Sequence, residues 1–371
     1  MIYTYMKIGI IGSSLSGSHF LGQWLERDSN VQVVYEMDRA DLIISVNSRQ
    51  PFQNLNYTVP HTIPSRHNAM LEWDRVQTKE MFYELGIPTP KFQVFELEEL
   101  LKQFNQFKQP FVVKFNRDNR FGLQTIIVTE DNCSWAYEYI KSSTWTCAHL
   151  FPGEQRNFLV EEYIPADREY SYHALFGNKN WQYVGSARDY KKRLDGDHGD
   201  NTPGMGAYCV TDIDHIVHEY ADKIYHHLKK TDPYIGFIFL GILVSQGIPY
   251  ILEINIRSGD PEIQTIVPTI ENDIAELLYL TATGKEIPKI TYNMLRPVAI
   301  SLWGDGVLSN VPSDIVYSLC QKNAPYHGTV MAAKESVEQS RDILYTCLLE
   351  SGFTYRTDIG FPVFLSQALS P

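Results

Sequence analysis

Ile251-Leu252-Glu253-Ile254-Asn255-Ile256-Arg257-Ser258-Gly259-Asp260-Pro261-Glu262-Ile263-Gln264 is the stretch whose reading decides the middle of this chain. It begins as an apolar strand. Its outward positions are Glu253, Asn255 and Arg257, which leave one face because strand side chains alternate. A carboxylate, an amide oxygen and a guanidinium in a row suit Mg²⁺ and phosphate together, since Mg²⁺ takes hard oxygen ligands and keeps substrate phosphates in its shell. A solvated strand face with an ion pair has the same alternation.

Working outward, Gly236–Val244 reads as a second buried strand, turning at Gln246-Gly247 into Tyr250–Ile256. Before it lies Ala187 to Tyr208, ARDYKKRLDGDHGDNTPGMGAY, a strand end followed by a long loop rich in Gly, Asp and Asn. Glycines let backbone approach a ligand, and successive amides can cradle an anion. Lys191, Lys192 and Arg193 add local positive charge. A plain surface loop has the same composition, and EF-hand spacing is absent. Phe158–Tyr163, Tyr170–Phe176 and Trp181–Ala187 read as further sheet strands. Phe111–Phe115 and Gln124–Thr129 read as a hairpin, preceded by a strand at Phe92–Phe95 and a helix at Leu97–Phe107.

Arg66 to Leu85 reads as one helix, with Met70, Trp73, Val76, Met81, Phe82 and Leu85 on its apolar side and Gly86 as its stop. The chain opens with the strand Lys7–Gly12, a Gly/Ser turn and an amphipathic helix, then strands at Val31–Tyr35 and Leu42–Val46, as in a nucleotide-binding α/β unit. The tail from Arg296 holds a few strands and a last helix, Ser336–Leu349. The expected fold class is α/β and α+β, multidomain. A small Rossmann-like block covers 1–65, the central block 66–295 has a lid subdomain near 110–165, and a short α+β domain covers 296–371.

With 371 residues, 44% hydrophobic and 20% charged, the chain has room for two or three domains of a soluble globular protein. A net charge of −12 argues against a nucleic-acid or anionic-membrane surface, while leaving room for a local cationic pocket. Cys133, Cys147, Cys209, Cys320 and Cys347 form no CxxC pair, so free thiols in a reducing compartment are expected. The apolar run Met6–Ile11 is too short for a signal peptide, and no stretch is long enough to span a membrane. The expectation is a cytoplasmic protein.

The two central stretches, in this order and joined by YIGFIFLGIL (Tyr234–Leu243), resemble the signature blocks of the phosphoribosylamine–glycine ligases of the ATP-grasp superfamily. LVEEYIPADREYS (Leu159–Ser171) resembles that family's adenine-clamping strand. RHNAMLEWDRVQTKEMFYELGIPTP (Arg66–Pro90) resembles the helix leading into its ATP-grasp domain, and FTYRTDIG (Phe353–Gly360) its closing block. The resemblance runs from about Arg66 onward.

It implies a central ATP-grasp fold and an ATP-dependent carboxylate–amine ligase of purine biosynthesis, with Mg²⁺ or Mn²⁺. By that resemblance Glu253 and Asn255 hold the metal and Lys114 meets an ATP phosphate. Glu161, Glu162 and the backbone at Ile164 contact adenine, with Glu169 near the ribose or metal. Arg257 neutralises a carboxylate or the transferred phosphoryl group. The loop Asp195–Gly206 covers the reacting centre, with Asn201 and Thr202 making polar contacts beside Lys191. The implied reactants are ATP, glycine or a similar carboxylate, and an amine, 5-phosphoribosylamine. The same motifs fit a diverged ligase with other substrates, or an inactive nucleotide-binding homologue.

The chain departs from the family in several places. The family's Gly-Gly-Arg-Glu-His run is SSLSGSH here, its Gly-Pro-Glu segment has no counterpart between Leu42 and Pro64, and Pro203 replaces a glycine. After Lys114 the usual Gly-Lys-Gly becomes NRDNRFGLQ, where either Arg117 or Arg120 supplies the charge or the segment is a solvated turn.

Overall fold

The computed structural model describes residues 5–12, 16–46, 57–116, 124–142, 157–309, 311–319 and 326–361. The chain divides into two compact units, Met1–Ser65 with Tyr170–Phe239 and Asn255–Pro371, and Arg66–Glu169 with Leu240–Ile254.

In the first unit, β1 (Met6–Ile11), α1 (Ser16–Leu25), β2 (Val31–Val34) and β3 (Leu42–Ser45) follow the expected alternation. The strands form a parallel sheet in the order β2-β1-β3. Parallel neighbours need a crossover, and the helix supplies it. Ile8, Phe20, Leu21, Leu42 and Ile44 are buried there in one core.

The second unit begins with a departure from expectation. Arg66–Leu85 is not one helix: α2 (Arg66–Trp73) and α3 (Arg75–Glu84) meet at Asp74. Asp74 leaves helical geometry at φ −99°, ψ 89°, and its carboxylate accepts from the Gln77 amide at 3.2 Å. An aspartate that caps free amides competes with helix continuation, so the apolar period runs unbroken across two helices. Gly86 stops the second at φ +62°. Then come β4 (Phe92–Glu96), α4 (Leu97–Gln103), β5 (Phe111–Phe115), β6 (Thr125–Val128), α5 (Cys133–Ser142) and β7 (Asn157–Glu162). Their sheet runs β4-β7-β5-β6, every pair antiparallel. Phe95, Phe104, Phe111, Phe115 and Phe158 fill its core with Ala136 and Ile140 of α5. Arg117 and Arg120, in the expected phosphate loop, lie outside the described residues.

Next are β8 (Arg168–Phe176), β9 (Trp181–Asp189), β10 (Lys192–Leu194), β11 (His198–Asn201), β12 (Gly206–Val210), α6 (Ile216–Thr231), β13 (Gly236–Ser245) and β14 (Ile248–Asn255). The remainder is α7 (Ile263–Ile266), α8 (Ile274–Ala282), β15 (Val298–Trp303), β16 (Ile315–Leu319), β17 (Tyr326–Ala332) and α9 (Val337–Leu348). Eight strands share one sheet in the order β14-β13-β8-β9-β12-β15-β17-β16. The segment Ala187–Tyr208 is more ordered than its composition suggests. Its middle is the small hairpin β10-β11, with Lys192 opposite Asn201 and Leu194 opposite His198. Ser336 caps α9 by accepting from the Gln339 amide at 3.2 Å.

Among the described residues no helix is long and apolar enough to cross a membrane. Cys133, Cys209 and Cys347 are free thiols.

Candidate active site

In the Arg66–Glu169 unit, β7 alternates so that Glu161 turns inward and Glu162 outward. Glu161 is 2% exposed. One of its oxygens lies 3.0 Å from Lys114 Nζ on β5, the other 3.1 Å from Lys79 Nζ on α3. Lys79 also donates to Thr89 Oγ1 at 2.7 Å, and that hydroxyl donates to the Ile251 carbonyl at 2.8 Å. Lys114 Nζ reaches the Leu252 carbonyl at 3.4 Å. Burial, then repulsion from Lys114, brings Lys79 down to about 7 against the pull of Glu161 and Glu253. Burial alone would raise the Glu161 carboxyl; the two lysines outweigh it and hold Glu161 below its ordinary value. The result is a buried cluster of two ammonium groups around one carboxylate, one positive charge in excess. Arg75 ties the end of β5 in place, donating to the Phe115 carbonyl at 2.7 Å and to Gln124 Oε1 at 3.0 Å.

The other residues expected at adenine are spread along this chain segment. Glu162 is exposed and accepts from the Lys91 amide at 2.9 Å. Ile164 is half-buried beyond the strand, and Glu169 is exposed. Glu253 is half-buried on β14 and packs on Gly241, where an added Cβ would sit 3.2 Å from its Cγ.

In the other unit Asn255 is buried, and its Oδ1 accepts from Arg257 Nη2 at 3.2 Å. The Arg257 guanidinium stands 5.5 Å from the Phe239 ring, whose neighbour is the stacked imidazole of His173 at 5.0 Å. His173 is fully buried, and neither ring nitrogen has a hydrogen-bond partner. Burial brings it down to about 3, the Ser171 backbone pulling upward and the positive charges of Arg257 and Lys191 pulling down, so the ring is neutral.

Lys191 is half-exposed, paired to Asp189 and 4.0 Å from Glu262. Burial pushes the Asp189 carboxyl up to about 7; Lys191 opposes this and the like charge of Glu262 reinforces it. Glu262 fits against Gly259, where a Cβ would come within 2.7 Å of its carboxyl group. The two sequence blocks meet here. A Cβ on Gly204 would come within 2.6 Å of Pro261. Thr202 is buried, its amide and hydroxyl both donating to the Lys191 carbonyl, at 2.6 and 3.1 Å. Asn201 is exposed on β11.

The closing block anchors this hairpin. Arg356, 1% exposed, donates to Asp358 at 2.7 and 2.5 Å, to Asp197 at 2.7 Å and to the Lys192 carbonyl at 3.0 Å. The Gly196 amide donates to Asp358 at 2.9 Å, the Thr357 amide to Asp195 at 2.8 Å, and the Thr357 hydroxyl also bonds Asp195.

By residue chemistry, Glu253 offers a carboxylate and Asn255 an amide oxygen, both hard ligands of the kind a divalent cation takes. Two protein oxygens suit a metal that completes its shell from phosphates and water. Among the described residues no group of three His, Cys, Asp or Glu could form a closed metal cage.

Sequence reasoning missed Lys79, Thr89, Asp189, Glu262 and Arg356. For Lys79 a signal existed. It lies three residues after Val76 and three before Phe82, on the apolar stripe, where an unpaired lysine would be costly. Arg356 carried no such signal, because one of its two carboxylates, Asp197, lies 159 residues away, the other being its neighbour Asp358.

The chain is similar to known proteins. Residues 74–263 match the phosphoribosylglycinamide synthetase, ATP-grasp (A) domain family. The phosphoribosylamine–glycine ligase of Thermotoga maritima is 35% identical over 210 residues, 55% of this chain and 51% of that protein. The Leptospira interrogans ligase is 28% identical over 236 residues, 61% and 54% of the two chains. This chain thus spans about half the length of these curated relatives. The crystal structure of phosphoribosylamine–glycine ligase from Thermotoga maritima superposes with a TM-score of 0.78 at 23% identity, covering 95% of this chain and 99% of that one, and so shares its fold.

Proposed function

Because the chain belongs to the phosphoribosylglycinamide synthetase ATP-grasp family, we propose that it is an ATP-dependent ligase joining a small carboxylate to an amine through an acyl phosphate. The proposed reactants are glycine, 5-phosphoribosylamine and ATP, with glycinamide ribonucleotide, ADP and phosphate as products, a step of purine biosynthesis. The observation that carries this reading is the buried Lys79–Glu161–Lys114 cluster, two lysines sharing one carboxylate in an acidic protein, which carries a net positive charge while Lys79 is protonated. Such a charge is suited to a polyphosphate.

A free carboxylate is a poor acyl donor, because oxide is a poor leaving group. In the proposed reaction its oxygen attacks the γ-phosphorus, the bond to the ADP oxygen breaks, and an acyl phosphate forms. The amine nitrogen then attacks the acyl carbon, phosphate leaves, and the nitrogen gives up a proton. Catalysis of this kind rests on positioning and charge cancellation. Lys114 would hold the phosphates, with Glu161 fixing Lys114 from inside the unit, Glu162 and the Ile164 backbone toward the base, and Glu169 toward the ribose or metal. Arg257 would cancel charge on the carboxylate or the moving phosphoryl group. Asn201, Thr202 and Lys191 would line the covering hairpin. Asp189, brought near neutrality, is suited to accept the proton from the amine. Glu253 and Asn255 would hold Mg²⁺ or Mn²⁺, which when bound supplies further neutralisation of phosphate charge. The free thiols support a reducing, cytoplasmic setting.

The test is ADP release by the purified chain with Mg-ATP and glycine, with and without phosphoribosylamine generated in situ. The reading expects turnover that depends on both co-substrates. ADP formed only with another amine would redirect the substrate assignment, and no ADP with any amine would end the ligase reading.

A further inference from the structure

We propose that Lys79 is a positioning residue for nucleotide binding, acting through Glu161 on Lys114. The proposal rests on the reading above that Lys114 meets a nucleotide phosphate. Lys79 itself is only 2% exposed and cannot touch a ligand; Lys114, at 9%, lies nearer the surface of the cluster. Glu161 can cancel the charge of one lysine. While Lys79 is protonated, the three groups carry one net positive charge, and it is available at the more accessible Lys114. Without Lys79, Glu161 pairs with Lys114 alone and cancels it.

The placement of Lys79 is well determined. Its ammonium is held by Glu161 on β7 and Thr89, whose hydroxyl bonds the Ile251 carbonyl, while Lys114 reaches the next carbonyl, Leu252. Both lysines are therefore referenced to the backbone just before Glu253. The charged groups facing Lys79 are Lys114, Glu161 and Glu253. A contact needed only for folding would be served as well by apolar side chains, since burying an ion cluster costs desolvation energy that its internal attraction seldom repays. The arrangement also makes the charge supply proton-dependent. With Lys79 brought down to about 7, its proton is lost across the neutral range, and affinity for a polyanion should fall as pH rises.

The experiment is calorimetric titration of the full chain with Mg-saturated ADP. Lys79→Met should weaken Kd by about tenfold, the scale for one charge acting over roughly 12 Å through an effective dielectric near 20. The double variant Lys79→Met/Glu161→Gln should recover most of that loss, because removing the carboxylate frees Lys114 again. The unmodified chain should bind more weakly as pH rises from about 6 to about 9, and Lys79→Met should lose that dependence. An unchanged Kd in Lys79→Met, or no recovery in the double variant, overturns the proposal. So does a flat pH profile in the unmodified chain, a result that needs no variant to fold. Lys114→Met separates the two layers: retained affinity there ends the phosphate reading itself, whereas loss there beside an unaffected Lys79→Met ends only the role of Lys79.

Discussion

Replacing Asp189 by asparagine should stabilise this protein above neutral pH while impairing its activity. The Asp189 carboxyl is about one-tenth exposed, paired to Lys191 and close to Glu262, and it is pushed up to about 7 from 3.8. Folding thus raises its proton affinity, so between those two values the folded state binds more protons than the unfolded one. Stability from this group is present at low pH and lost as pH rises through 7. A shift of roughly three units is worth at most about 4 kcal/mol at pH 8, of which about 1.5 kcal/mol is already present at pH 5. Asparagine has the same shape and no charge to desolvate. The gain of Asp189→Asn should therefore grow by about 1–2.5 kcal/mol between pH 5 and pH 8, the lower figure allowing for the lost attraction to Lys191. Urea unfolding followed by tryptophan fluorescence at the two pH values measures it. If Asp189→Asn is no more stable than the unmodified chain at pH 8, or gains equally at both pH values, the carboxylate is not held under electrostatic stress. Full ADP-forming activity in Asp189→Asn would remove it as the proton acceptor.

Three further outcomes follow from the geometry. Glu253→Ala should lower kcat/KM for ADP formation by about a hundredfold or more, with little change in melting temperature, as loss of a metal-holding oxygen implies; steady-state kinetics over a Mg²⁺ series would show it. Arg356→Met should cost about 3 kcal/mol, because Asp197 and Asp358 lose the buried guanidinium that pairs them; a drop of about 5–10 °C by calorimetry is expected. Gly206→Val should destabilise the chain and disturb the hairpin, since φ is +152° and a Cβ would meet the Ala299 carbonyl at 2.6 Å; chemical denaturation and proteolysis between Asp195 and Gly206 report on each.

The alternation of strands and helices, the family and the residue types at the candidate site are all legible along the chain. These are local properties. Apolar periodicity marks β5, β13 and β14, Glu253 and Asn255 are legible because β14 has a two-residue period, and linked blocks of fixed order identify the family. How the charges pair depends on the folded arrangement, because Coulomb attraction and desolvation act across chain separations that no spacing records. Glu161 reads as an adenine contact from its strand motif, yet its carboxylate is committed to lysines 82 residues before it and 47 before it on other elements. The helix over Arg66–Leu85 broke at Asp74 because a cap outcompeted the period. The loop Ala187–Tyr208 is held as a hairpin by Arg356, far along the chain, which bonds Asp197 and the Lys192 carbonyl. Composition set the acidic total. The fold chose where two buried lysines would share one carboxylate.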